Sequence, residues 1–219
     1  MSIKLYIDML SQPCRALVIF MKTCKVPFEA VQVAIRKGEN RKEPFLKLNP
    51  LGKLPVMVDG QFVLTESVAI FRYICRKFSV PENIYPSSLE GQAKVDEYLE
   101  WQHMNTRYKA ATVFIGELFG RGNVDVDKAV SDMNQMMDDL EMMFLKNQEF
   151  INGDQVSFAD ILAACEIVQP MFSGRKVFDD RPRIKSWFER VRRETQPHFD
   201  EAHSIFYQGR ERFLRKNKL

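Results

Sequence analysis

Strand-like sequence is confined to the first third of this 219-residue chain, and that restriction governs what it can fold into. Residues 3–7, "IKLYI", read as a short strand, and "QPCRALVIFMKTCKV" reads as the helix that follows. Pro13 suits a first helical turn, where its missing N–H would have no partner anyway, and Leu17, Phe20, Met21 and Cys24 then recur at helical spacing. "FEAVQVAI" is a second strand, followed by "KGENRKEPFLKLN" as a loop with a short helix. "PVMVDG" and "QFVLT" form two strands joined across Asp59-Gly60, a tight-turn pair. "ESVAIFRYICRKF" closes the unit as a helix that buries Val68, Phe71, Ile74 and Phe78. The predicted order is βαβ-α-ββα, an α/β arrangement over residues 1–79.

The prolines and polar residues of "SVPENIYPSS" mark a break, and residues 80–88 are read as a linker. After it the strand signals stop, so residues 89–219 are expected to form an all-helical domain. "EGQAKVDEYLEWQHMNTRYKAATVFIGELFG" reads as one long helix, and "VDKAVSDMNQMMDDLEMMFLK" as a second. The latter places Met133, Met136, Met137, Leu140, Met143 and Phe144 on one stripe, which fits gap-filling core packing better than a ligand box. "NGDQVSFADILAACEIV" opens with a capping box of Ser157 and Asp160, a folding signal and not a catalytic one. "RPRIKSWFERVRRE" and "PHFDEAHSIFYQGRERFL" supply the remaining helices.

Composition narrows the function class. Hydrophobic residues at 45% support a real core, and a net charge of +3 spread along the chain gives little support to a nucleic-acid partner. Four scattered cysteines with no C-x-x-C or H-x-x-x-H pairing imply neither a structural metal nor a disulfide framework. No secretory leader pattern opens the chain, and no apolar run approaches the ~18 residues of a membrane span. A cytoplasmic protein with reduced thiols and no membrane partner is the expectation. The basic tail "GRERFLRKNKL" is read as a solvated helix end.

The candidate chemistry starts at "SQPC", residues 11–14, which has the spacing of a redox C-x-x-C loop with serine in place of its first cysteine. Ser11 as a nucleophile would require a base, and none of His103, His198 and His203 stands in a nucleophile-elbow setting. Cys14 faces the helix interior, where burial raises a thiol's pKa and makes it inert. A third reading makes Ser11 a hydrogen-bond donor to a thiol carried by a ligand. A free thiol is only a few per cent ionised at pH 7. A hydroxyl at a helix N-terminus could lower its pKa by ~2 units without any histidine.

A second cluster lies in "NPLGKLPVMVDG" and "LTESVAI". Leu54-Pro55 opens a strand where a cis proline can leave the preceding backbone free to pair with an extended peptide. Ser67 at a helix start suits a carboxylate, and Glu66 suits an ammonium. Together they could hold the two charged groups of an amino acid.

The segments "LYIDMLSQPCR", "NPLGKLP", "LTESVAI" and "VDEYLEWQH" together resemble cytosolic glutathione transferases, and the theta class in particular. The resemblance covers essentially the whole chain. It implies a thioredoxin-like N-terminal domain, an all-helical C-terminal domain that contributes the electrophile site, and a homodimer. It implies glutathione as co-substrate and no permanently bound cofactor or metal. Carried over by position, Ser11 activates the glutathione thiol. Gln12 and Lys53 lie near the ends of the tripeptide, Leu54 offers its backbone to the cysteinyl unit, and Glu66 with Ser67 binds the γ-glutamyl end. Arg107 matches an electrophile-site position. Asn40 and Arg41 stand where theta-class proteins often have histidine beside lysine, so the glycyl carboxylate would meet Arg41's cation there. Met104 stands where relatives can have an acidic residue.

The expected activity is conjugation of glutathione to small hydrophobic electrophiles, with glutathione-dependent peroxidase activity accompanying it. The alternative is a non-catalytic ligand-binding or interaction protein on the same fold.

Overall fold

The computed structural model describes residues 2–120 and 124–217. They fall into two compact units, Met1–Val80 and Pro81–Leu219.

The first unit runs β1 (Ile3–Ile7), α1 (Gln12–Thr23), β2 (Phe28–Gln32), α2 (Glu43–Leu46), β3 (Val56–Asp59), β4 (Phe62–Thr65) and α3 (Ser67–Lys77). The sheet order is β2-β1-β3-β4, with β1 parallel to β2 and the other pairs antiparallel. This is the thioredoxin-like α/β arrangement. The parallel pair follows from the α1 crossover, because two parallel strands need a long return connection. Ile3, Leu5 and Ile7 alternate into the core from β1. The α1 helix buries every residue from Pro13 to Met21, so it is the central packing element of the unit. Gly60 takes φ +62° in the turn between β3 and β4, the left-handed geometry that its lack of a Cβ allows.

Several boundaries are tighter than the sequence pattern implies. The α1 helix stops at Thr23 because Lys25 turns left-handed (φ 55°) and the Val26 N–H reaches back to Met21 O at 2.8 Å, a Schellman-type closure. Strand β2 ends at Gln32. Val33 N–H still bonds Ile7 O at 2.8 Å, and the chain then coils into 3₁₀ turns at Ile35–Lys37 and Glu39–Arg41. Phe78, read as buried, is half-exposed past the end of α3.

The second unit contains α4 (Leu89–Trp101), α5 (Thr106–Phe119), α6 (Val126–Leu140), α7 (Phe158–Ile167), α8 (Pro182–Glu194) and α9 (His198–Lys216). No strand occurs among its described residues. The last two residues of the basic tail, 218 and 219, lie outside the described residues.

The single long helix expected over residues 90–120 is broken. A 3₁₀ turn at Gln102–Met104 leads to Asn105, whose backbone (φ −113°, ψ −103°) leaves the helical region. The Asn105 Nδ2 donates to Trp101 O at 2.8 Å, a side-chain bond that competes with the regular ladder. The break swings Thr106 into the core, where its hydroxyl meets Tyr98 and Glu166. The methionine stripe also shifts. A π turn at Glu141–Leu145 inserts one residue into the period. It buries Phe144 and Leu145 and leaves Met143 50% exposed.

The α7 helix is buried along its whole length. Its capping box extends beyond the local motif. Asp160 Oδ2 accepts from the Ser157 N–H (2.9 Å) and hydroxyl (2.7 Å), while Oδ1 accepts from the Ile151 N–H (2.7 Å) and Trp187 Nε1 (2.8 Å). Four donors on one buried carboxyl tie the start of α7 to the preceding loop and to α8. No described helix is long and apolar enough to cross a membrane.

Candidate active site

Strand register brings four separate connections of the first unit to one end of the sheet. Val31, Tyr6, Val56 and Thr65 form a single row across β2, β1, β3 and β4. Just beyond that row lie the turn 8–11 after β1, the loop 33–41 after β2, residues 53–55 before β3, and Glu66-Ser67 after β4. Ser11, Asn40, Arg41, Lys53, Leu54, Glu66 and Ser67 belong to these connections and Gln12 opens the helix after the first of them, so topology gathers residues spread over more than fifty sequence positions.

Ser11 is the N-cap residue of α1, half-buried, with extended backbone (φ −82°, ψ 124°) and no hydrogen bond from its side chain to the helix N–H groups. Burial pushes the Cys14 thiol up to about 11, against a smaller opposing effect of the neighbouring Ser11 hydroxyl. Cys14 is therefore a protonated core side chain at neutral pH, and the redox reading of the loop lapses. Gln12, half-buried, is the first residue of the helix.

The Leu54-Pro55 peptide is cis. Leu54 lies outside the β3 ladder, and its N–H and C=O have no hydrogen-bond partner among the described residues. Lys53 is exposed, and its carbonyl accepts from Asn49 Nδ2 at 2.9 Å. Asn40 is buried and its Nδ2 is committed to Gly52 O at 2.7 Å. Exposed Arg41 donates to Leu51 O at 3.3 Å. Gly52 (φ +63°) is required where the two loops meet, since a Cβ there would stand 2.7 Å from the Asn40 carbonyl oxygen.

Glu66 holds φ 66° and ψ 115° with its side chain exposed. For a residue with a Cβ this is a sparsely populated conformation that the surroundings must impose, and such conformations concentrate at binding sites. Ser67 follows at the first position of α3, 2% exposed, and its hydroxyl has no partner among the described residues. A buried hydroxyl without a partner costs stability, so this atom marks a place where something outside the chain can bond.

Arg107 belongs to the second unit. It is half-buried near the start of α5, and its charge acts on Glu166. Glu166 is a residue the sequence reading passed over. It is fully buried on α7, accepts from the Thr106 hydroxyl at 2.6 Å, and has a second oxygen, Oε1, without a partner. Burial pushes its carboxyl up to about 8, with Arg107 and the Thr106 bond opposing. The available signal was one acidic residue inside the apolar run "ILAACEIV". Among the described residues no group of three or more His, Cys, Asp or Glu side chains could hold a metal ion.

Comparison with known proteins gives a consistent answer. The family described as "Glutathione S-transferase, N-terminal domain" matches residues 1–76, and "Glutathione S-transferase, C-terminal domain" matches residues 103–194. A similar curated protein is glutathione S-transferase theta-1 of Bos taurus, 39% identical over 96% of this chain and 91% of its own length. Among solved structures, human glutathione-S-transferase T1-1 in its apo form superimposes with a TM-score of 0.91 at 36% identity, covering 96% of this chain and 91% of that one. Human glutathione transferase theta-2 in complex with glutathione and an unknown ligand gives a TM-score of 0.92 at 35% identity, over 99% and 92% of the two chains.

Proposed function

This chain belongs to the theta class of the glutathione S-transferase family, and from that premise we propose that it activates the thiol of glutathione through Ser11 and conjugates it to small hydrophobic electrophiles. The observation that carries the reading is the Ser67 hydroxyl, buried and unpartnered at the same end of the sheet as Ser11. The γ-glutamyl carboxylate is the group it would bond, helped by the free N–H groups of the first α3 turn. Exposed Glu66 would take the α-ammonium. Pairing of the cysteinyl unit with the Leu54 N–H and C=O would fix the extended peptide between its two ends. At the glycyl end Lys53 and Arg41 supply cations, with Gln12 at the α1 terminus. Asn40 acts by shaping this loop, since its amide nitrogen is already committed to Gly52.

Such docking leaves the ligand sulfur facing Ser11. With the ligand docked, the Ser11 hydroxyl turns its proton toward the ligand sulfur. A hydroxyl hydrogen bond to the charged form, together with the N-terminal dipole of α1, lowers a thiol pKa. A drop of ~2 units from about 8.5 would make most bound glutathione a thiolate at neutral pH. No general base is needed; binding supplies the nucleophile and its proximity. Alkyl halides, epoxides and organic hydroperoxides are the electrophile classes we assign, the last giving peroxidase turnover. Arg107, near the start of α5, is the residue we assign to the electrophile on the theta-class resemblance. We also assign a homodimer in the cytoplasm, which sedimentation equilibrium and cell fractionation would test.

The decisive experiment is Ser11→Ala. Conjugation with a halide and the ultraviolet thiolate absorbance of bound glutathione should both fall at least tenfold at pH 7, while glutathione still binds. Retention of the thiolate signal would rule out the assigned role of Ser11.

A further inference from the structure

The turn that carries Ser11 is held by a carboxylate that takes no part in the chemistry described so far. Asp8 Oδ1 accepts the Leu10 N–H at 2.9 Å, and the Asp8 carbonyl accepts the Ser11 N–H at 2.9 Å. On the carbonyl side of the same turn, Arg15 Nη1 donates to Met9 O at 3.0 Å and to Leu10 O at 3.1 Å. The second Asp8 oxygen leaves the turn altogether. Oδ2 accepts the N–H of Ile35, 27 residues away, at 2.9 Å. Ile35 opens the 3₁₀ turn of the loop that leads to Asn40 and Arg41, and that loop is clamped in turn to Gly52 and Leu51, next to Lys53 and Leu54.

We propose that Asp8 is a positioning residue that holds the Ser11 turn and the Arg41 loop in one geometry, so that the thiol end and the glycyl end of the ligand site move together. The inference rests on the reading of Ser11 as the thiolate's partner. A carboxylate suits the task because both of its oxygens accept, and both of its partners here are backbone N–H groups. Asparagine at this position would keep one acceptor and turn an NH₂ group toward the other N–H, so it could hold only one of the two segments. A neighbouring carboxylate gives the internal control. Glu39 Oε2 accepts the Ala34 N–H at 2.7 Å, a bond within the loop itself that does not reach the Ser11 turn.

The test compares Asp8→Asn with Glu39→Gln and Ser11→Ala, using glutathione and a halide electrophile. Asp8→Asn should raise the KM for glutathione ~10-fold, the effect of losing one hydrogen bond that shapes the site. It should also move the kinetic pKa of kcat/KM, and the pH midpoint of bound thiolate absorbance, upward by about half a unit or more. Glu39→Gln should raise KM alone. An unmoved pKa in Asp8→Asn, or equal behaviour of the Asp8 and Glu39 variants, overturns the inference. Ser11→Ala separates the two levels. If it leaves the thiolate signal intact, the reading of Ser11 fails; if it removes the signal while Asp8→Asn leaves both readouts unchanged, only the role of Asp8 fails. Should Asp8→Asn not fold, amide exchange on the unaltered protein decides. Protection of the Leu10 and Ile35 N–H groups is expected, and exchange of both at exposed-loop rates overturns the inference.

Discussion

Replacing Glu166 by glutamine should change how the stability of the protein depends on pH. In the native state the Glu166 carboxyl is buried and its pKa rises from 4.5 to about 8, mainly through loss of hydration. In the unfolded chain it reverts to the ordinary value. Below about pH 4.5 the group is protonated in both states and contributes no pH dependence. Between about 4.5 and 8 the unfolded state releases the proton and the native state keeps it, so native stability falls as pH rises. Above about 8 both states are ionised and the loss levels off. Each pH unit is worth about 1.4 kcal/mol, so the window sums to roughly 5 kcal/mol on the linkage relation. Glutamine is nearly isosteric, stays neutral, and its carbonyl can still accept from the Thr106 hydroxyl. Glu166→Gln should therefore match the parent near pH 5 and exceed it by several kcal/mol near pH 8.5. Urea titrations followed by tryptophan fluorescence measure this directly, since Trp101 and Trp187 both lie in the helical unit. Asp160, whose carboxyl burial also raises, is common to both proteins and cancels in the difference. A stability difference that stays constant from pH 5 to 8.5 would refute the reasoning.

Two other substitutions test the ligand site from opposite sides. Ser67→Ala removes a buried hydroxyl that has no partner in the chain, so the unliganded protein should gain on the order of 1 kcal/mol in stability. Its KM for glutathione should rise ~10-fold; calorimetry and steady-state kinetics check the two halves, and a loss of stability with KM unchanged would contradict the assignment. Gly52→Ala places a Cβ 2.7 Å from the Asn40 carbonyl oxygen at a left-handed position. It should cost about 2 kcal/mol of unfolding free energy and weaken glutathione binding, and a change under about 0.5 kcal/mol by urea denaturation would show that the loop relaxes freely.

Much of the candidate site is legible in the sequence. Ser11 could be singled out because a serine in a C-x-x-C-like loop at a helix start has few chemical uses. The Pro55 strand opening and the Glu66-Ser67 helix start are local patterns of the same kind. Glu166 escaped notice because its significance lies in the α4–α5 break and the packing of α7, neither of which its neighbours in sequence announce. Asp8 escaped notice for a related reason. Its second oxygen serves a residue 27 positions away, beyond the reach of any turn rule.

Sequence alone determined the features whose causes lie within one or two turns of chain: the strand and helix order, the Asp59-Gly60 turn and the Ser157 capping box. Helical and strand periods, and bonds between a side chain and nearby backbone, are local physics. Tertiary structure alone decided where α4 gives way to α5, which methionine of α6 and its π turn faces water, and how a buried carboxyl titrates. It also decided which connections share the end of the sheet where the candidate site lies. Those outcomes depend on desolvation and hydrogen bonding by segments remote in sequence, and only the folded chain brings them into contact.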